Sequence, residues 1–315
     1  MTPSEKVTAT VQSASTREFI SLFNQTARYH HRYKVFSDFV TVSGIALHNA
    51  AAFDQALEQQ YLDIVKQYEK DDVMRFTQLF AVLTMELESH PRDVLGELYM
   101  SLDISSGHLG QFFTPFSMSR MMARLQLGNN DPYAENPHGF VSVSDPACGA
   151  GGMIIAFAEA LQERGHSPQQ QMWAQCIDID PIAAWMCYIQ LTLLHIPAEV
   201  IIGNTLSMAF SRRMYTLAHY LGDWSTKLRR RTQAEAMRKL LQHGADQDQK
   251  VGHIITEPAT SPASSVGEVN AADEVITETE AVRYTDRIAP LTQLSLIESP
   301  RATYTVTTKP TPVAA

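Results

Sequence analysis

The residues best suited to chemistry lie between Val141 and Asp180. Asp145 ends the alternating run Val141-Ser-Val-Ser-Asp145, which passes through Pro146-Ala147-Cys148 into Gly149-Ala150-Gly151-Gly152 and then the apolar run Met153-Ile-Ile-Ala-Phe-Ala158. A strand entering a glycine turn and then a helix directs unpaired backbone N–H groups at one point, where a ligand can approach the chain closely. A second run, Met172-Trp-Ala-Gln-Cys-Ile-Asp178-Ile-Asp180-Pro181, ends in acids, and a carboxylate at that strand tip is placed to meet both hydroxyls of a ribose. A third, Glu199-Val-Ile-Ile202, closes at Gly203-Asn204-Thr205-Leu206, where the Asn204 amide can pair with an adenine edge. The GxGxxG spacing of a dinucleotide site is absent, as is the GK[ST] of a phosphate-cradling loop, so neither class is favoured. Taken singly, the glycines also fit a tight turn and Asp178 and Asp180 a helix cap. Their order and spacing argue for a nucleotide-like ligand.

The surrounding chain must hold these residues in place. Phe19, Leu22 and Phe23, and later Leu57, Tyr61, Ile64, Val65 and Tyr68, recur at three- and four-residue spacing, which predicts helices. The organisation expected is a disordered 1–16, a helical lobe over 17–108, an α/β core over 109–210, a basic helical segment over 211–245 and a mostly disordered tail over 246–315. The fold class is α/β, Rossmann-like, preceded by the helical lobe. The net charge of −9 argues against a nucleic-acid partner until it is divided along the chain: residues 211–240 hold 8 basic and 2 acidic residues. Arg212, Arg213, Lys227, Arg229, Arg230 and Arg231 are candidates to contact phosphate, a solvated helix face being the alternative. Three cysteines without CxxC spacing give neither a disulfide framework nor a zinc site. His30, His31 and His48 lack partners at ligand spacing and are read as packed or solvated, so no metal is expected. Cys148 is read as a small residue that lets the turn close, although a helix N-terminus there can lower a thiol pKa. Met118, Met121 and Met122 are read as a packing face. No apolar window is long enough to span a membrane and the first residues do not form a secretory signal, which leads to a cytoplasmic placement.

The series Asp93-Val-Leu-Gly-Glu-Leu-Tyr99, Gly110-Gln-Phe-Phe-Thr-Pro115, Asp145-Pro-Ala-Cys-Gly-Ala-Gly-Gly152, Asp178-Ile-Asp-Pro181 and Gly203-Asn-Thr-Leu206 resembles the prokaryotic N6-adenine DNA methyltransferases. Within them it is most similar to the modification subunit of type I restriction-modification systems. The resemblance covers about 90–206 and implies S-adenosylmethionine as cofactor. It implies that Thr114 and Pro115 hold the amino-acid end, that Asp145 meets the ammonium group beside Pro146, and that Gly149 and Gly151 wrap the methionine. It further implies that Asp178, with Asp180 beside it, binds the ribose and that Asn204 faces the adenine.

The same family carries an Asn-Pro-Pro-aromatic tetrad that holds the target amine of a base flipped from the duplex. This sequence has no Pro-Pro dipeptide; its nearest candidate is Glu257-Pro258-Ala259-Thr260. Two functions follow: a DNA adenine methyltransferase that binds cofactor at 114–204 and DNA through 212–239, with a protein partner supplying target recognition or the acceptor site, or an inactive homologue acting as regulator or anti-restriction decoy. Methylation of protein or RNA is a third, weaker reading.

Overall fold

Apolar residues at helical spacing build the first part of the chain. The computed structural model describes residues 14–102, 113–129, 131–133 and 136–254. Its first helices are α1 (Ala14–Gln25), α2 (Arg32–Ala51), α3 (Gln55–Val65), α4 (Lys70–Ser89) and α5 (Val94–Ser101). Buried Phe19 and Phe23 of α1 meet Phe39 and Phe36 of α2 edge-on, with ring centroids 5.7 and 6.2 Å apart. Asp54 caps α3 by accepting from Ala56 N and Leu57 N, satisfying donors that the first turn cannot pair internally. Buried Asp72 ties α4 to the segment after α1, accepting from Ala27 N at 2.9 Å, Tyr29 Oη at 2.9 Å and Arg75 Nη1 at 2.6 Å.

Helix α6 (Phe116–Leu127) follows Thr114 and Pro115. Its buried stripe is Phe116, Ser119, Ala123 and Leu127, and it packs against α7 (Gly152–Glu163). Met118, Met121 and Met122, expected to form the packing face, are 45–48% exposed. The small Ser119 and Ala123 allow closer approach than methionines would. Arg120 and Arg124 then flank the contact by pairing with Glu159 and Glu163.

The sheet runs β1 (Val141–Asp145), β2 (Met172–Asp178), β3 (Ala198–Asn204) and β4 (Ala209–Tyr215), in that spatial order. The first three strands are parallel, joined through α7, α8 (Pro168–Gln171) and α9 (Pro181–Leu193). Period-two alternation divides the sheet. Val141, Val143, Met172, Ala174, Cys176, Ala198, Val200 and Met214 join the core. Between them stand Ser142, Ser144, Trp173, Gln175, Glu199, Arg213 and Tyr215. Helix α9 is buried over most of its length because it packs on α2 and on β2 and β3.

Strand β4 runs antiparallel to β3, with an irregularity at Ile202/Gly203. This corrects the expectation of a helical segment from residue 211: Arg212 and Arg213 lie on a strand. Pairing with β3 and alternation in burial outweigh the local sequence. Helix resumes at α10 (Leu217–Leu221) and α11 (Trp224–Ile254). Because β4 reverses, α10 and the start of α11 lie at the amino ends of the strands. Thr216 Oγ1 donates to Ile196 O and accepts from Ala198 N, while fully buried Trp224 meets Phe140, just before β1, edge-on at 5.1 Å. The described residues up to Lys250 belong to one compact unit, and the last turn of α11, 251–254, falls in a second.

Candidate functional site

The glycine turn follows β1 and opens α7. Gly149 and Gly151 have φ of +53° and +92°, the left-handed region that side chains disfavour. A Cβ on Gly149 would stand 2.9 Å from the Phe113 ring, and one on Gly151 would stand 3.0 Å from Cys187 Sγ. Asp178, at the end of β2, fixes the turn: its Oδ2 accepts from Gly149 N at 2.8 Å and its Oδ1 from Asp180 N at 2.9 Å. Each carboxylate oxygen keeps a further lone pair for a ligand. Asp145 Oδ1 accepts from Ala147 N at 3.1 Å. Burial, reinforced by the Asp178 charge and opposed by the Ala147 bond, raises the Asp145 pKa.

A second set of contacts joins the turn to the helical lobe. Gln190, wholly buried on α9, donates from Nε2 to Ala150 O at 2.8 Å and to Asp93 Oδ1 at 2.9 Å, and accepts at Oε1 from Leu95 N at 3.0 Å. Asp93 Oδ1 also accepts from Gly96 N at 2.9 Å and so caps α5. Burial raises the Asp93 pKa, outweighing its bonds to Gln190 and Gly96.

Around the turn lies a cavity of about 320 Å³, lined by Asp93, Phe113, Thr114, Ser119, Asp145, Ala147, Cys148, Gly149, Ala150, Gly152, Met153, Asp178 and Ala183. Its volume falls within the range of small-molecule sites, roughly 300–1,000 Å³. Among the described residues the lining holds three carboxylates and no Lys, Arg or His. Such a pocket is complementary to a cation and repels a phosphate.

Of the residues singled out from the sequence, Thr114, Asp145, Gly149 and Asp178 meet in this cavity, while Pro115, Pro146, Gly151, Asp180 and Asn204 are not part of its lining. Gly151 shapes the turn from behind. Pro115 and Asp180 are the N-caps of α6 and α9, and Asp180 accepts from Ile182 N at 3.0 Å. Pro146 O accepts from Thr205 Oγ1 at 2.7 Å. Asn204 Oδ1 accepts from Leu206 N and Ser207 N, so its carbonyl closes a local turn. Asp93 and Ser119 line the cavity and were missed as site residues. Glu257 and Pro258 lie outside the described residues. Cys148 touches the cavity, and its thiol is pushed well up by hydrogen bonding with Cys176 and by burial. It is therefore a neutral packing group at the turn.

The six basic candidates divide. Arg212 pairs with Asp54 at 2.9 Å, and Arg213 with Glu199 at 2.8 Å. Lys227 lies over the Trp224 ring at 4.3 Å, and Arg231 pairs with Glu235 and donates to Ser142 Oγ at 2.7 Å. Arg229 and Arg230 are exposed and have no ion-pair partner among the described residues. No group of three or more His, Cys, Asp or Glu placed to hold a metal is found among the described residues. No described helix is long and apolar enough to cross a membrane.

Parallel β1–β3, a glycine turn after the first and an acid ending the second form a Rossmann-like nucleotide-binding frame. Residues 91–221 match the family described as N-6 DNA Methylase. No curated protein matches the chain. Among solved structures, one described as a class I S-adenosylmethionine-dependent methyltransferase from Listeria monocytogenes is similar at 15% identity and TM-score 0.34, covering 58% of this chain and 51% of that one. A type I restriction-modification methyltransferase subunit from Streptococcus thermophilus gives 11% and 0.30, covering 58% and 55%. A type I modification subunit from Vibrio vulnificus gives 18% and 0.23, covering 44% and 26%. The chain thus spans about half or less of each. S-adenosylmethionine is the cofactor that this family implies. The donor set fits it: carboxylates face its positive charges, and the close-packed glycines leave room beside the turn.

Proposed function

We propose that this chain is the methyl-donor part of a DNA methyltransferase that modifies the exocyclic amine of adenine. The observation that carries this reading is the acidic cavity at the carboxyl ends of β1 and β2, within a region of the N-6 DNA Methylase family. Thr114 and Asp145 hold the amino-acid end of the cofactor, Gly149 lets the backbone approach it, and Asp178 takes the ribose hydroxyls. The bound cofactor supplies an electrophilic methyl group on a sulfonium. The chain's own residues orient it, and Asp93, Asp145 and Asp178 keep the positive centre in a negative field. Arg229 and Arg230 are the side chains left to meet phosphate. A protein partner supplies target recognition or the groups that hold the amine.

A second reading, a homologue that binds cofactor or DNA without transferring methyl and acts as regulator or decoy, is favoured by one observation: the chain has no Pro-Pro dipeptide with which to form the family's acceptor tetrad. Incubation with tritium-labelled S-adenosylmethionine and unmethylated DNA tests the two. Label at adenine N6 that disappears in Asp178→Ala supports the first. Cofactor binding without any label in DNA supports the second, and label in protein or RNA overturns both.

A further inference from the structure

Two buried polar side chains of the cavity are not accounted for by the residues assigned above. Ser119 is fully buried on the inner face of α6, lines the cavity, and its Oγ has no hydrogen-bond partner. A buried hydroxyl without a partner is costly to keep, so its place in an otherwise apolar stripe calls for a ligand. Asp93 is 4% exposed. Its bonds from Gly96 and Gln190 both end on Oδ1, while Oδ2 faces Gly152, where a Cβ would stand 3.1 Å away. Helix α7 begins at Gly152 with no side chain capping it, which leaves first-turn N–H groups beside the same cavity. The cavity therefore offers one free carboxylate oxygen, one free hydroxyl and a helix N-terminus. This is the complement of a zwitterionic amino acid.

We infer that Asp93 and Ser119 bind the amino-acid end of the cofactor, Asp93 Oδ2 accepting from its ammonium and Ser119 Oγ donating to its carboxylate, an assignment that rests on the cofactor reading above. Asp145 shares the ammonium from the other side of the turn. Asp93 comes from the start of α5 in the helical lobe and Ser119 from α6 of the α/β core, so the subsite is complete only when both fold against the turn. The separation of charge also sets selectivity: a ligand with the nucleoside but no amino-acid end gains nothing from either residue.

Calorimetry on the full chain with two probes tests the inference, S-adenosylmethionine and 5′-methylthioadenosine, which lacks the amino-acid end. Asp93→Asn keeps an acceptor for Gly96 and Gln190 but loses the charge. It should weaken S-adenosylmethionine by roughly 10-fold or more, the scale of a charged hydrogen bond, and leave 5′-methylthioadenosine within about 2-fold. Ser119→Ala should weaken S-adenosylmethionine by roughly 3- to 10-fold with the same selectivity. If either variant changes both probes equally, or neither, the inference is overturned for that residue while the cofactor reading stands. If the unaltered chain binds neither probe, the cofactor reading fails and takes the inference with it.

Discussion

Replacing Gln190 by Met tests whether the lobe holds the glycine turn in place. Met nearly preserves the length and volume of Gln, so little cavity cost is added. Three hydrogen bonds disappear. Leu95 N and Ala150 O lose their buried partner, and Asp93 Oδ1 is left with Gly96 N alone. Orphaning a buried polar group costs about 1–3 kcal/mol, so about 3–6 kcal/mol of folding stability should be lost, a large share of the roughly 5–15 kcal/mol typical of a domain. Urea unfolding followed by tryptophan fluorescence measures the loss, and cofactor affinity should fall with it because Ala150 lies inside the turn. A loss below about 1 kcal/mol would refute the reasoning, since Leu95 N and Ala150 O would then have to find other partners at no cost.

Gly151→Ala forces a side chain onto a residue at φ +92° and against Cys187 Sγ, and should cost about 1–3 kcal/mol in the same unfolding assay. Adding Cys187→Ala should relieve the contact but not the backbone strain, and so recover only part. Burial raises the pKa of Asp145 and of Asp93, and the charged form is the one that meets a cation. Cofactor affinity should therefore decline as pH falls through these raised values, before an ordinary carboxylate at about 4 would titrate, as calorimetry across pH would show. At Asp72, burial pushes the pKa up, but bonds from Ala27 N, Tyr29 and Arg75 outweigh it and the net pKa is lowered. Its stabilisation is thus present above the unfolded value of about 3.9 and lost as pH falls through the lower folded value. Asp72→Asn should cost about 2–3 kcal/mol near neutrality by urea unfolding, with the gap to the parent chain closing below about pH 4.

The turn was legible because its chemistry is local. Glycines at φ +53° and +92° and an acid at a strand tip are positions where few residue types serve, and the sequence shows them directly. Asp93 and Ser119 were not legible as site residues. Asp93 looks like a helix cap, which it also is, and only folding brings it to Gln190, 97 residues away. A signal did exist for each: the Asp-x-x-Gly spacing of Asp93 and Gly96, where a Cβ on Gly96 would collide with the carboxylate, and one hydroxyl in the stripe Phe116, Ser119, Ala123, Leu127. Strand β4 was hidden because Ser211, Arg212 and Arg213 at its centre break any hydrophobic alternation, so only the partner strand defines it. Asn204 was read for its amide, yet a short polar side chain at a strand end bonds first to the backbone two and three residues on.

The reversal of β4 also sets a distance. It carries the chain back so that α11 begins at the amino ends of the strands, whereas the glycine turn stands at their carboxyl ends. The five residues of β1 separate the two ends by about 17 Å at roughly 3.3 Å per residue. Along one strand of B-form DNA, at about 3.4 Å per nucleotide, that is about five steps. If α11 meets DNA as proposed, phosphates gripped near its start would thus not be those of the nucleotide presented to the cavity. On the proposed DNA reading the sheet would act as a ruler: a duplex serving both ends would lie along its strands, with the grip and the reacting base about half a helical turn apart.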